Sequence, residues 1–510
     1  MAQTFEAAAA RPEMPQRGST AYVVLLAAVA ALGGLLFGYD TAVISGAIGL
    51  LTDHFHLDPQ VQKGWAAACA LVGCAFGAAM AGGLSDRLGR KKMLVIAGVL
   101  FFVSAVGTAL PANFYQFIAF RFLGGLAIGA ASITSPMYIA EISPARIRGR
   151  MVSLNQLAIV TGMVVVYFVN YAIDAYGTRV DQPLLAPVGQ SQPLAPQSVQ
   201  QFVARFGIEP WNVREGWRWM FGSGAFPAAA LLLLLSLVPE SPRWLTKQGR
   251  RDEALVVLSR VGGSRQAGVE LQQIDEALAQ ESGSLAQLLQ PGMRTALLIG
   301  VTLAVLQQVT GINVFLYFAP EIFKKLGTGE SAALLQQLLV GGVNALFTIF
   351  AIWTVDRLGR KPLMLIGSTG MGLALLALGW AGYYGRTELW TLAFVLGYIA
   401  CFAMSVGPVV WVILSEIFPT GIRGRAMALA TICLWLANFL VTQTFTMMDE
   451  NPWLVAKFHH AFPFWIYSLL CGVTVVFVWW FVPETKGKSL EEIERSWGNV
   501  SPSPSGRGPG

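Results

Sequence analysis

Along this chain, long apolar runs alternate with short charged stretches. A helix that crosses a bilayer needs about 20 mostly apolar residues. Twelve runs of that order begin near Tyr22, Val61, Met93, Phe117, Met151, Trp217, Arg294, Ala332, Leu363, Leu389, Ala426 and Pro463. None alternates with period two, as the strands of a membrane barrel do. The pattern predicts an all-α membrane protein with twelve transmembrane helices. The first twenty residues are polar and alanine-rich and lack the succession of a cleavable signal, so the first run is expected to remain as a helix. An even number of crossings puts both ends on one side.

Composition sharpens this picture. Of 510 residues, 55% are hydrophobic and 13% charged, against about 25% charged in soluble domains. Too little polar surface is left to keep such a chain in water. Abundant Val, Leu, Ile and Phe exclude disorder and collagen, and the five cysteines all lie in apolar runs, which excludes a disulfide scaffold. The net charge is +6, and most of the 35 lysines and arginines fall on the side of the termini: Arg87, Arg90, Lys91 and Lys92, then Arg146, Arg148 and Arg150, a basic set from Arg243 to Arg294, then Arg357, Arg360, Lys361, Arg423 and Arg425. Basic loops are retained in the cytoplasm, so both termini are expected there. The charges face anionic inner-leaflet lipid, and no nucleic-acid partner is required.

The chain also repeats itself. Asp86-Arg87-Leu88-Gly89-Arg90-Lys91 recurs as Asp356-Arg357-Leu358-Gly359-Arg360-Lys361. Glu141 with Arg146-Ile147-Arg148-Gly149-Arg150 recurs as Glu416 with Gly421-Ile422-Arg423-Gly424-Arg425, and Pro239-Glu240-Ser241 recurs as Pro483-Glu484-Thr485. Matches at nearly one offset, each between corresponding helices, predict two related six-helix halves in parallel orientation. The resulting division is a cytoplasmic segment 1–20, a first half 21–240 with an external loop at about 174–216, cytoplasmic linker helices 241–293, a second half 294–485 and a tail 486–510. In the linker, Asp252-Glu253 opens an amphipathic segment carrying Ala254, Leu255, Leu258 and Val261. The external loop is rich in Gln and Pro and is expected to be loose.

Polar residues inside the spans are the candidate chemistry. Gln307, Gln308 and Asn313 lie in the seventh run, and Gln308 and Asn313 share a face only if the helix is broken. Gly311, between β-branched Val309, Thr310 and Ile312, makes that the place for a break. Tyr317 lies one turn beyond Asn313. Amides that donate and accept, beside an aromatic platform, suit a sugar's hydroxyls and ring faces; amides in spans also simply bond neighbouring helices. Asp40 is the one carboxylate well inside a run, at a cost of about 2.5–3.5 kcal/mol on insertion scales, which marks function by default. At 1.5 Å per residue, Arg121 lies about 9 Å and Asp40 about 15 Å below the outer ends of their runs, so the two can pair. That pair is either a coupling site or a permanent salt bridge.

The DRLGRKK and DRLGRKP loops, the PESPR and PETKG ends of the halves, and Gln307-Gln308-Val309-Thr310-Gly311-Ile312-Asn313 resemble the sugar porter family of the major facilitator superfamily. The likeness covers about residues 20 to 495. The stretch from Met447-Met448-Asp449 to Lys486-Gly487 is most similar to that family's bacterial D-xylose:proton symporters. The resemblance implies alternating access around one midplane sugar site in a multi-pass protein of the bacterial inner membrane, working as a monomer on a sugar and a proton. It adds Phe37, Gln156, Asn344 and Trp411 to the substrate residues. Trp411 follows Gly407-Pro408, a second helix-weakening pair. It implies proton coupling at Asp40 and Arg121, because proton-driven members carry an acid there and facilitative animal glucose transporters a neutral residue. It also implies a cytoplasmic gate of Arg90, Glu141, Arg148, Glu240, Arg360, Glu416, Arg423 and Glu484, which an ordinary rim of interfacial ion pairs would mimic. Where the xylose symporters have glutamines, this chain carries Met163 and Leu434, which leaves glucose or another aldohexose as open as an aldopentose.

Other classes fit less well. Gly487-Lys488-Ser489 has Val482 where a phosphate loop needs its first glycine, so an ATP-driven pump is not indicated. The histidines, His54, His56, His459 and His460, are read as lying outside the runs, and no catalytic, metal or cofactor constellation is expected. The alternatives to a proton symporter are a facilitative uniporter of the same fold and a non-transporting sugar sensor.

Overall fold

The structure, a computed structural model, describes residues 18–144, 146–185, 199–279, 293–325, 330–385, 389–418 and 423–486. Among the described residues, twelve helices are long and apolar enough to cross a membrane: Thr20–Phe55, Gln62–Leu88, Arg90–Ala109, Phe114–Ile142, Arg148–Gln182, Asn212–Leu235, Met293–Lys324, Ala333–Val355, Arg360–Tyr383, Thr391–Ile417, Gly424–Asp449 and Phe462–Phe481. They are called the first to twelfth spans below. Among the described residues there is no strand. Each span starts within a few residues of its apolar run, because the same charged and Gly- or Pro-containing stretches that interrupt the runs also stop the helices.

Caps set the ends. Ser19 accepts a hydrogen bond from the Tyr22 amide at 3.2 Å, and Asn113 accepts one from the Gln116 amide at 3.0 Å, each satisfying an orphan donor of a first turn. The second and fourth spans pack backbone to backbone: a Cβ on Gly73 would overlap the Phe122 carbonyl, and one on Gly125 the Ala70 carbonyl. Small residues at such a crossing supply the close van der Waals contact that drives helix association in lipid.

The two halves meet at the end away from the termini. There Gln60 donates to the Glu450 carbonyl at 3.2 Å, Thr446 to the Gln60 carbonyl at 2.9 Å and Gln443 to the Val61 carbonyl at 3.1 Å. At the terminal end the linker forms helices Pro242–Lys247, Arg251–Gly262 and Ser264–Ala279. Trp244, Leu245, Ala254 and Val257 form their own small core, and Leu258 and Val261 are also buried while Leu255 is half-buried. The Trp244 indole donates to the Asp86 carbonyl at 2.9 Å, which docks the linker on the first half.

Part of the loop expected at 174–216, residues 186–198, lies outside the described residues, and the described parts on either side of it are helical or turned rather than loose. The fifth helix continues to Leu185, a helix spans Val199–Phe206, and Asn212–Gly216 is a π-turn leading into the sixth span. The ends of this segment are held by polar bonds invisible in composition: Asn212 donates to the Asp174 carboxylate at 2.9 Å, and the Trp211 amide to Asp181 at 2.9 Å. The first helix reaches Phe55, so His54 belongs to its last turn, where it pairs with Glu209 at 3.3 Å. Residues 1–17, 280–292 and 487–510, with parts of the assigned terminal segment, linker and tail, lie outside the described residues.

Candidate functional site

The seventh span is broken where the sequence indicated. Helix Met293–Val309 ends, Gly311 takes φ 89°, and helix Ile312–Lys325 begins. Only glycine adopts that backbone at little cost, and a Cβ there would also meet the Tyr467 ring. The break lets Asn313 donate to Gln308 at 2.5 Å, a contact impossible at five residues' separation on a continuous helix. Tyr398 on the tenth span donates to the Thr310 carbonyl that the break releases, at 2.9 Å.

The tenth span is broken too, at Ser405 between Leu389–Met404 and Val406–Ile417. Pro408 explains the position, since its ring excludes the carbonyl four residues earlier, that of Met404. Gln307 reaches across to this break and donates to the carbonyls of Val406 and Gly407 at 3.0 and 2.8 Å. Trp411, half-buried, stands one turn further along the same helix. Gln307 is thus a strut between two interrupted helices. Gln308 and Asn313 form the polar edge beside it.

The other candidates sit where the halves face one another. Phe37 of the first span lies 5.5 Å from the ring of Trp435 in the eleventh. Asn344 of the eighth span points its amide at the Met163 sulfur of the fifth, at 3.9 Å. Gln156, half-buried, lies two turns from Met163 and shares its face. Tyr317 is buried and lies beside Asn438. Leu434, at 3% exposure, fills the position next to Trp435. The sequence reading missed Trp435 and Asn438. The Trp435 indole N–H is buried and has no hydrogen-bond partner in the protein, and a buried donor left so costs about 1–3 kcal/mol. A ligand acceptor would remove that cost. The signal available in the sequence was an indole beside a polar-poor stretch, which is indistinguishable from a lipid-facing tryptophan.

Asp40 and Arg121 are in contact. The guanidinium Nη1 donates to the Asp40 carboxylate at 2.9 Å and to the Asp40 backbone carbonyl at 3.3 Å. Arg121 is 1% exposed, lies 5.4 Å from the Phe221 ring and keeps an unpartnered Nε. A guanidinium so placed is expensive without a counter-charge, and the Asp40 carboxylate supplies it.

At the terminal end the internal repeat recurs bond for bond. Glu240 accepts from the amides of Arg90 and Lys91 at 2.9 and 3.0 Å, capping the third span; Glu484 accepts from the amides of Arg360 and Lys361 at 3.1 and 3.0 Å, capping the ninth. The Arg90 guanidinium pairs with Glu141 at 3.0 Å, and that of Arg360 with Glu416 at 2.8 Å. Ser241 donates to Glu141 as Thr485 does to Glu416. Carboxylates suit these sites because the first turn of a helix presents free N–H groups and positive dipole. At Glu484 burial raises the pKa, but the backbone amides of Lys486, Arg360, Lys361 and Thr485 outweigh it and hold the carboxyl below its usual value. Arg148, expected in the same gate, does not join these ion pairs. It is exposed and donates to the Ser143 carbonyl at 3.4 Å, because Arg90 already occupies Glu141. Arg423 opens the eleventh helix, and its side chain lies outside the described residues.

The family model described as "Sugar (and other) transporter" matches residues 26–497. The chain belongs to this sugar transporter family. Among its relatives, the D-xylose-proton symporter of Escherichia coli (strain K12) is 43% identical over 94% of this chain and 96% of that protein. The arabinose-proton symporter of Bacillus subtilis (strain 168) is 40% identical over 94% and 96%. The xylose transporter from E. coli in its inward-open conformation superposes with a TM-score of 0.76 at 41% identity, covering 93% of this chain and 100% of that one. The sugar transporter fold therefore accounts for the twelve spans and two repeated halves, and this family and these relatives are transporters rather than enzymes.

Proposed function

We propose that this protein is a proton-coupled monosaccharide symporter that works by alternating access. The observation that carries the reading is the pair of half-buried Asp40 with buried Arg121, 2.9 Å long, in a chain whose amides, indoles and helix breaks converge between the two halves. Gln308, Asn313, Asn344 and Trp435 are the sugar's hydrogen-bonding partners in this reading, with Phe37 and Trp411 as ring platforms and Gln156 and Tyr317 at the edge. Gln307 orients the site through the tenth span. The symporters named above act on xylose and arabinose; here Met163 and Leu434 replace amides by apolar groups, which favours an aldohexose such as glucose over xylose.

Positive-inside charge supports cytoplasmic termini, which makes the closed end of the molecule the outer one and the conformation inward-facing. In that state the Asp40 carboxylate is paired with Arg121, in this reading the deprotonated step of the cycle, and the clusters of Arg90, Glu141 and Glu240 and of Arg360, Glu416 and Glu484 hold each half rigid as it rocks. Arg148 and Arg423 complete these clusters in the outward-facing state. The protein is proposed to sit in the bacterial inner membrane and to work as a monomer. The test is uptake of a panel of labelled sugars into vesicles with an imposed proton gradient. Accumulation that collapses with an uncoupler supports symport; equilibration without accumulation would make the protein a uniporter, and binding without flux a sensor.

A further inference from the structure

Lys63 is misplaced by every local rule. It lies in the first turn of the second span, where the helix dipole repels a cation, and it is 7% exposed. Its Nζ is 3.0 Å from Glu321 and 4.0 Å from Glu450. Glu321 lies on the seventh span and Glu450 just past the C-terminal end of the eleventh, itself a poor place for an anion. Lys324 approaches the other oxygen of Glu321 at 3.6 Å. Both carboxylates belong to the half opposite Lys63, and the hydrogen bonds of Gln60, Val61, Gln443 and Thr446 surround the same contact.

We propose that Lys63, Glu321 and Glu450 are gating residues of the transport cycle: an ion triad that exists only while the end away from the termini is closed, and that sets the balance between the two conformations. The reason is geometric. The pair bridges the halves, so rocking them apart at this end separates the charges, whereas the bonds of Glu141, Arg90, Glu416 and Arg360 lie inside one half and survive rocking. A buried ammonium is tolerated only when paired, so closing the end selects for this contact, and removing Lys63 or Glu321 takes away attraction between the halves that holds the end closed. The proposal rests on the alternating-access reading but not on the identity of the sugar.

The test is a distance measurement without sugar. Spin labels on noncanonical side chains at Tyr115 and Trp453, 83% and 63% exposed and one in each half at this end, spare the five native cysteines. The unaltered triad is expected to give mainly the short distance. Lys63→Met should shift the closed-to-open ratio by about tenfold or more, since close charge pairs across an interface couple at that level, and Lys63→Arg should keep the short distance. If Lys63→Met does not fold, Glu321→Gln carries the same expectation, with a smaller shift for Glu450→Gln because its contact is longer. A distance distribution unchanged by Lys63→Met or Glu321→Gln would overturn the proposal, as would Lys63→Arg opening the end as far as Lys63→Met. Because no sugar is present, these outcomes are independent of the uptake assay.

Discussion

Replacing Asp40 by asparagine separates coupling from binding. The substitution keeps an oxygen that can accept from Arg121 in place of the 2.9 Å bond but removes the negative charge. Arg121 retains the Asp40 carbonyl at 3.3 Å and the Phe221 ring at 5.4 Å, so the fold should lose about 1–3 kcal/mol rather than the larger amount that an entirely stranded buried charge costs. The transport effect is larger. One charge moved through 100 mV is worth about 2.3 kcal/mol, so one proton per sugar supports roughly 50-fold accumulation at that potential. Asparagine mimics the protonated acid at every pH, so that driving force should vanish. In proteoliposomes with an imposed potential, Asp40→Asn is expected to bind sugar and exchange it across the membrane while its steady-state accumulation falls to about one. Accumulation that survives at the wild-type level would place the coupling proton on another group. Loss of sugar binding together with accumulation would show that the pair holds the site together and couples nothing.

Gln308→Ala removes the 2.5 Å bond to Asn313 across the break; at about 1–3 kcal/mol the sugar Kd should rise roughly 5- to 150-fold with an unchanged helical spectrum, and an unaltered titration would refute the assignment. The double change Met163→Gln with Leu434→Gln places one amide beside Asn344, whose amide faces a thioether at 3.9 Å, and another next to Trp435; competition uptake should move the preference toward xylose, and a fixed xylose-to-glucose ratio would show that these positions do not meet the sugar. Glu484 has a folded pKa held below its ordinary value, so its contribution to stability is fully present above the ordinary glutamate range of about 4.3 and is lost as pH falls through the lower folded value. Hydrogen exchange at Arg360 and Lys361 should therefore stay protected down through the ordinary glutamate range and rise only below it, while Glu484→Gln should show weak protection at every pH; a midpoint at or above about 4.3 in the unaltered protein would contradict the cap.

The spans, the repeat and the helix breaks were legible in the residues themselves. Twenty apolar residues have one stable solution in lipid, a helix with its backbone bonds internal. Gly311 and Pro408 act on their own helices through φ and through a missing N–H, so their effect is local. Asp40 and Arg121 could be paired by depth alone, because rise per residue converts sequence distance to height. Rotation about each helix axis, and the partner it meets, cannot be read this way. That is why Phe37 against Trp435, Asn344 against Met163 and the absence of Arg148 from the Arg90–Glu141 pair emerged only from the packed bundle. The described ends of the segment from Asp174 to Gly216 read as loose because they are held by Asp174 and Asp181 binding residues 38 and 30 positions away. Lys63 is the clearest case. Sequence alone makes it a surface charge at a helix start; two carboxylates from distant helices of the other half, brought within 3.0 and 4.0 Å, make it buried. Local covalent geometry and the solvent's hydrophobicity act on neighbours in the chain, while charge pairing and side-chain packing act on neighbours in space, and only the tertiary structure decides which residues those are.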